Sequence, residues 1–222
     1  MLITWFGQAF FEIKTKNKQN EEISLVIDPF NEKYGFSIPQ LEAQILLVTH
    51  SHPDHSNIKA IKGSPFLINE PGEYEIKDIF IKGIFSFHDE CQGKERGFNS
   101  IYKIETENIK ICHLGDLGQK ELNSSQLEEL GEIDLLFIPV GGVYTINAQK
   151  AINIISQIEP KIVVPMHYQI PKLKTITLEE VDKFLKLMAK EKIEPQKKLK
   201  ITAKDLTKDS LKETVEVVIL SP

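Results

Sequence analysis

The densest chemistry in the chain is the run His50-Ser51-His52-Pro53-Asp54-His55, which places three imidazoles and one carboxylate within six residues. Packing is a poor account of it, because four adjacent polar groups cannot be buried together without partners. Chance is no better: with six histidines and nine aspartates in 222 residues, the pattern H-x-H-x-D-H is expected anywhere in the chain with a probability of roughly 2 in 10,000. A metal explains the residue types, since imidazole and carboxylate are zinc donors. In an extended segment residues two apart face the same way, so His50 and His52 can reach one ion, while Asp54 and His55, beyond Pro53, can turn toward a second. Three further donors stand just past apolar runs: His88 after residues 83–87, Asp116 after residues 109–112 by way of His113-Leu114-Gly115, and His167 after residues 162–166. Taken singly, His88 or His167 would more often be an ordinary, partly buried histidine. Beside the first run that balance reverses.

Donors held this way need rigid supports. Short runs rich in β-branched and aromatic side chains, cut by polar or glycine-containing turns, predict strands over residues 3–6, 10–13, 24–27, 45–49, 80–87, 100–104, 110–112, 135–140, 162–165 and 215–220. Helix signals are fewer. Ser124-Ser125 opens a helix that Gly131 stops, with Leu127 and Leu130 three apart. Asn147 caps a second, in which Ala151, Ile154, Ile155 and Ile158 form a stripe before Pro160, and Thr177 caps a third with Val181, Phe184, Leu185 and Met188 on one face. Strands in meander mixed with strand-helix-strand units predict an α/β sandwich of mixed sheets with outer helices. The stretch 190–214 carries eight lysines interleaved with acids, which predicts a solvated surface with a β-hairpin rather than a nucleic-acid patch.

Composition narrows the class. A chain of 222 residues, 41% of them hydrophobic, can bury one sizeable core, so one domain is the default. A net charge of -5 and a pI near 5.8 give no general attraction to phosphate backbones. Two cysteines, Cys91 and Cys112, are too few for a disulfide framework and fit a reducing cytoplasm. The first residues lack a basic segment followed by an apolar block, and no run approaches the ~18 apolar residues of a membrane span, so a soluble cytoplasmic chain is expected.

V-T-H-S-H-P-D-H at 48–55, F-H-D at 87–89, H-L-G-D at 113–116 and V-V-P-M-H-Y at 163–168 carry a resemblance to the metallo-β-lactamase superfamily over nearly the whole length. The chain is similar to the branch of compact zinc hydrolases that includes ascorbate-phosphate-lactonase-like proteins. The resemblance implies a four-layer αββα sandwich of two mixed β-sheets with outer helices, formed by residues 1–222 as a single hydrolase domain. It implies two Zn2+ ions, with manganese or iron also compatible: His50, His52 and His88 on one, Asp54, His55 and His167 on the other, and Asp116 bridging both. A water activated there, its pKa lowered toward ~7, would be the nucleophile. Asp54 would accept a proton or hold its metal. The substrate implied is an ester, lactone, thioester or phosphodiester of a small metabolite, phosphorylated or a lactone. The large nucleases of the superfamily carry an inserted domain for which 222 residues leave no room. No nucleic-acid or membrane partner is expected, and the sequence sets no oligomeric state.

Two other classes compete: a metal-binding or sensing protein without catalysis, and an iron-dependent redox protein. By the same resemblance, histidine rather than the glutamate of the flavodiiron-like variant at position 52 weighs against the second. Seven donors weigh against the first, since a structural zinc site closes with four. Among neighbours, Asp28 after residues 25–27 either orients a ligating imidazole or merely makes a turn. His113 faces either the site or a core partner, and a place behind the ligands is the favoured expectation. Arg96 and Asn99, in the loop after His88, could touch substrate, although a solvated loop is the commoner outcome. Gly141-Gly142 reads as a turn, Cys91 as a loop thiol, and Met166 and Tyr168 as packing beneath His167.

Overall fold

The apolar runs pair into two large mixed sheets in the computed structural model, which describes residues 1–34, 38–171, 173, 175–207 and 215–222. The first sheet has, in spatial order, Leu199–Lys200, Leu2–Gly7, Phe10–Lys16, Glu22–Ile27, Ile45–Leu47 and Phe66–Ile68. The second has Glu216–Val217, Ile162–Met166, Leu135–Pro139, Ile109–His113, Phe98–Thr106, Ile79–Phe87 and Gly72–Ile76. Leu41–Glu42 and Ile61–Lys62 form a small parallel pair. This is the mixed α/β sandwich the sequence pattern calls for.

Strand direction places the chemistry. In the first sheet Glu22–Ile27, Ile45–Leu47 and Phe66–Ile68 run parallel, so the segments leaving the first two, at Asp28 and His50, emerge on one side. In the second, Ile109–His113 and Ile162–Met166 run parallel through Leu135–Pro139. Ile79–Phe87 shares their direction because two successive antiparallel pairings restore it. Asp116, His88 and His167 therefore also leave strand carboxyl ends on one side. Ligand sites in open α/β sheets favour that side.

Aromatic rings lock the sheets face to face. Phe11 stacks on Phe137 with centroids 4.3 Å apart, and Trp5 lies 5.2 Å from Tyr168. Near the site the Tyr102 hydroxyl, on the second sheet, lies 2.9 Å from the Val48 carbonyl and 3.1 Å from that of Ile68, both on the first. The rings of Trp5, Phe11, Tyr102, Phe137 and Tyr168 are all buried, so the space between the sheets is one apolar core whose edge opens at the donors.

The helices are Ser124–Leu130, Ala148–Ile158 and Val181–Leu187 among the described residues. The first two begin as expected: the Asn123 and Asn147 side chains accept the backbone N–H of Gln126 and Lys150. The third differs. Thr177 does not cap it; the helix starts after Glu180, whose side chain makes no cap bond. Three other differences stand out. Strand pairing after Ile45 ends at Leu47, short of Thr49. Gly72–Ile76 escaped notice because it is a sheet-edge strand with only half-buried side chains on its inner face. The lysine-rich tail forms no hairpin among the described residues: Leu199–Lys200 pairs with the first sheet and Glu216–Val217 with the second. Residues 208–214 of that stretch lie outside the described residues. No helix among the described residues is long and apolar enough to cross a membrane.

Candidate metal centre

The run 50–55 is not extended. It bends away from the strand and closes a turn in which the His55 N–H donates to the His52 carbonyl at 2.9 Å. Pro53-Asp54 supplies the turn chemistry, so His50 and His52 do not share a face by strand alternation. The turn itself gathers the rings: His50 lies 4.6 Å from His52 and 4.3 Å from His55, centroid to centroid. His88 arrives from the other sheet, 4.8 Å from His50 and 5.0 Å from His52, and His167 lies 6.0 Å from His55.

Asp116 sits at the centre. Its Oδ2 is 3.2 Å from His55 Nε2, 3.4 Å from His88 Nε2 and 3.5 Å from His167 Nε2. Asp54 Oδ2 lies 3.8 Å from His55 Nε2. Donor atoms cluster within 4.8 Å of one another as three groups: His50, His52 and His88; His50, His55 and Asp116; Asp54, His55 and His167. All seven residues singled out from the sequence are thus brought together.

Several of these atoms are orphans. His50 Nε2, His55 Nε2, His88 Nδ1, both ring nitrogens of His167 and Asp116 Oδ1 are buried without a hydrogen-bond partner. Leaving so many buried polar atoms unmatched is costly, and metal ions among them would take one nitrogen from each ring together with the Asp116 oxygen. Electrostatics agree. Burial, with the neighbouring His55, drives His50 far below the ordinary imidazole range, leaving it a neutral donor. Burial opposes a charge on His55, but Asp116 and Asp28 overcome it and raise that imidazole well above 6.5. Burial likewise opposes charge on Asp116, yet His167 and His55 pull it well below 3.8.

The supports are as specific as the donors. Asp28 accepts from the Thr49 N–H and hydroxyl, both at 2.7 Å, and from His55 Nδ1 at 2.9 Å. With its proton committed to Asp28, the Thr49 oxygen accepts from His50 Nδ1 at 3.0 Å. One carboxylate therefore orients two imidazoles and turns both Nε2 atoms inward. Thr49 escaped the sequence reading, which saw only a strand end. His113 does not approach the donors; it is a core group. Its Nδ1 accepts the Gly115 N–H at 3.1 Å, so Nε2 carries the proton donated to the Ala9 carbonyl at 3.0 Å. Burial keeps it neutral, and its effect on the site passes through Gly115 to Asp116. His167 is held at φ 51°, where L residues are strained, by its N–H on the Gln8 carbonyl at 3.2 Å. Gly141 packs so close that an added Cβ would meet the His167 oxygen at 2.1 Å.

Asn99 is not a loop residue. It lies on Phe98–Thr106, 1% exposed. Its Oδ1 accepts the Asp116 N–H at 2.9 Å, while Nδ2 donates to Leu114 O and Ser86 Oγ. It positions the central carboxylate from behind. Arg96 does stay in the loop, its guanidinium 4.5 Å from the Tyr144 ring centroid. Gly141-Gly142 makes the turn expected of it, with Gly142 at φ 76°. Cys91 is exposed, whereas Met166 and Tyr168 are buried.

Asp89, the last residue of F-H-D at 87–89, has a role that the motif did not assign. Its carboxylate accepts four loop N–H groups, from Cys91 and Gly93 at 2.8 Å, Glu95 at 2.9 Å and Arg96 at 2.8 Å. Burial would raise its pKa, but those donors, Arg96 foremost, outweigh it and lower the value below 3.8. A depressed carboxylate adds stability above its unfolded value and loses it as pH falls through the folded one. Asp89→Ala should cost about 2 kcal/mol in a denaturant melt and speed amide exchange at those four positions. The difference from wild type should shrink below pH 3.8.

A β-lactamase superfamily domain model matches residues 2–167. A metal-dependent hydrolase from Thermococcus onnurineus is 29% identical over 75% of this chain and 84% of its own length. Among solved structures, a proposed Zn-dependent hydrolase of the metallo-β-lactamase superfamily from Thermotoga maritima superposes with a TM-score of 0.76 and 34% identity, covering 99% of this chain and 97% of that one. A metallo hydrolase from Ignicoccus hospitalis, 17% identical, shares the fold with a TM-score of 0.65 over 90% and 99% of the two chains.

Proposed function

The chain belongs to the metallo-β-lactamase superfamily, and from that premise we propose that it is a binuclear, zinc-preferring hydrolase of esters, lactones, thioesters or phosphodiesters of small molecules. The observation that carries this reading is the set of unpartnered buried imidazole and carboxylate atoms drawn to one point from both sheets. His50, His52 and His88 would hold one ion, Asp54, His55 and His167 the other, with Asp116 between them. Metal bound there would supply a water acidic enough to act as nucleophile near neutral pH and a positive charge to stabilise the oxyanion. The relatives with metal-dependent hydrolase names support the same chemistry.

The protein's own residues supply orientation. Asp28 and Thr49 fix the two imidazoles of the turn, and Asn99 fixes the backbone of Asp116. Asp54, with 20% of its side chain exposed, is the carboxylate at the open side of the cluster. There it would take the proton that the attacking water gives up. The test uses protein purified without chelator, its metal content measured, against generic lactone, thioester, ester and phosphodiester substrates. Turnover should vanish after chelation and return with zinc or manganese. Metal-loaded protein that turns over nothing in the panel would overturn this proposal in favour of a binding or sensing role.

A further inference from the structure

The chain has 27 lysines and arginines, and Arg96 is its sole arginine. It stands at the end of the segment that begins at His88. That segment is locked on itself: Asp89 takes four of its N–H groups, the Gly97 N–H donates to Gly93 O at 3.0 Å, and the His88 N–H donates to Gly97 O at 3.1 Å. The guanidinium then lies over the Tyr144 ring, 4.5 Å from its centroid. Among the described residues no carboxylate forms an ion pair with it, whereas Lys150 nearby is paired with Glu90. An arginine held over an aromatic face with its donors uncommitted is arranged to take a planar or tetrahedral anion through two N–H groups.

What it faces completes the picture. A cavity of about 580 Å³ has His50 and His52 of the metal centre in its wall together with Arg96, Phe85, Phe98 and Glu70. Phe85 and Phe98 are 45% and 61% exposed, with ring centroids 4.9 Å apart. Large apolar side chains exposed within a cleft mark a binding surface. One fixed cation, one apolar shelf and one acid define the ligand: Glu70 disfavours a second negative charge.

Resting on the hydrolase reading above, we propose that the substrate is an amphiphilic monoanion. Its apolar part lies on Phe85 and Phe98, a carboxylate or singly charged phosphodiester remote from the scissile bond pairs with Arg96, and the reacting group points to His50 and His52. The test is calorimetric titration of metal-loaded protein with 4-phenylbutyrate, the singly charged diester methyl 2-phenylethyl phosphate and neutral 4-phenylbutyramide. Wild type should bind at least one anion about tenfold more tightly than the amide, and which one it prefers separates carboxylate from phosphate. Arg96→Ala should abolish that preference and leave amide binding unchanged, Arg96→Lys should keep part of it, and Tyr144→Leu should weaken it without removing the charge. Equal binding of acid and amide by wild type, or an undiminished preference in Arg96→Ala, would overturn the proposal. Ester turnover is scored separately, so a dead enzyme with the preference intact sinks only the hydrolase reading. An active one without the preference sinks only the anion site.

Discussion

Asp116→Asn should strip the protein of most of its metal and lower turnover by on the order of 10³ or more, because a stabilisation of several kcal/mol is lost from the reacting centre. The substitution keeps the shape of the side chain and removes its charge. That charge is the hub: Oδ2 lies 3.2 to 3.5 Å from Nε2 of His55, His88 and His167, and Oδ1 is buried with no partner. An amide presents N–H groups where ions would seek an electron pair. Metal analysis and turnover on whichever panel substrate is active are the readouts. Unchanged metal content and rate would show that the ions, and the reaction, lie elsewhere.

The metal-free protein provides a second signature. Asp116 and Asp28 together raise His55 well above 6.5 against the opposing effect of burial. A group whose folded pKa is raised adds stability that is full below its unfolded value and lost as pH climbs through the folded one. Removing the Asp116 charge should therefore lower the melting temperature of the metal-free protein most below pH 6.5. The gap should narrow or reverse on the alkaline side, where His55 is neutral in both proteins.

The donors were readable because metal chemistry restricts residue type, and because each follows an apolar run whose strand character is local. Geometry within the run was not. Strand alternation was expected to align His50 with His52, with a turn only beyond Pro53, but the turn closes back on His52 itself, and rings gather by the turn rather than by the pleat. The supports were harder still. Asp28 was one of two readings of a turn, and Thr49 was only a strand end, since their bond depends on the parallel pairing of Ile27 with Leu47. Asn99 and His113 left their expected places for the same reason. A buried strand position, and a carbonyl at Ala9 over 100 residues away in sequence, decide where their polar atoms go. Long-range partners leave no periodic trace.

Glycine at position 118 was equally silent, and Gly118→Ala should be among the most damaging single-atom additions in the chain. Gly118 follows Asp116 by two residues and its N–H donates to the Phe87 carbonyl at 2.9 Å. A Cβ there would meet the His88 carbonyl carbon at 2.2 Å, its oxygen at 2.3 Å and the Asp89 nitrogen at 2.3 Å. These are backbone atoms, so no rotamer change relieves the clash; the strand end carrying His88 must shift. His88 would move off the cluster and Asp89 off its four loop donors. Overpacking of this kind costs about 1–3 kcal/mol, and a displacement near 1 Å at a reacting centre costs about 10²-fold in rate. Gly97→Ala is the matched control: its Cβ meets nothing within 4 Å, but its φ of 84° suits glycine. It should lose only about 1 kcal/mol of stability and keep its metal. If Gly118→Ala matches that control in metal content and turnover, close approach at 118 is not what holds His88 in place.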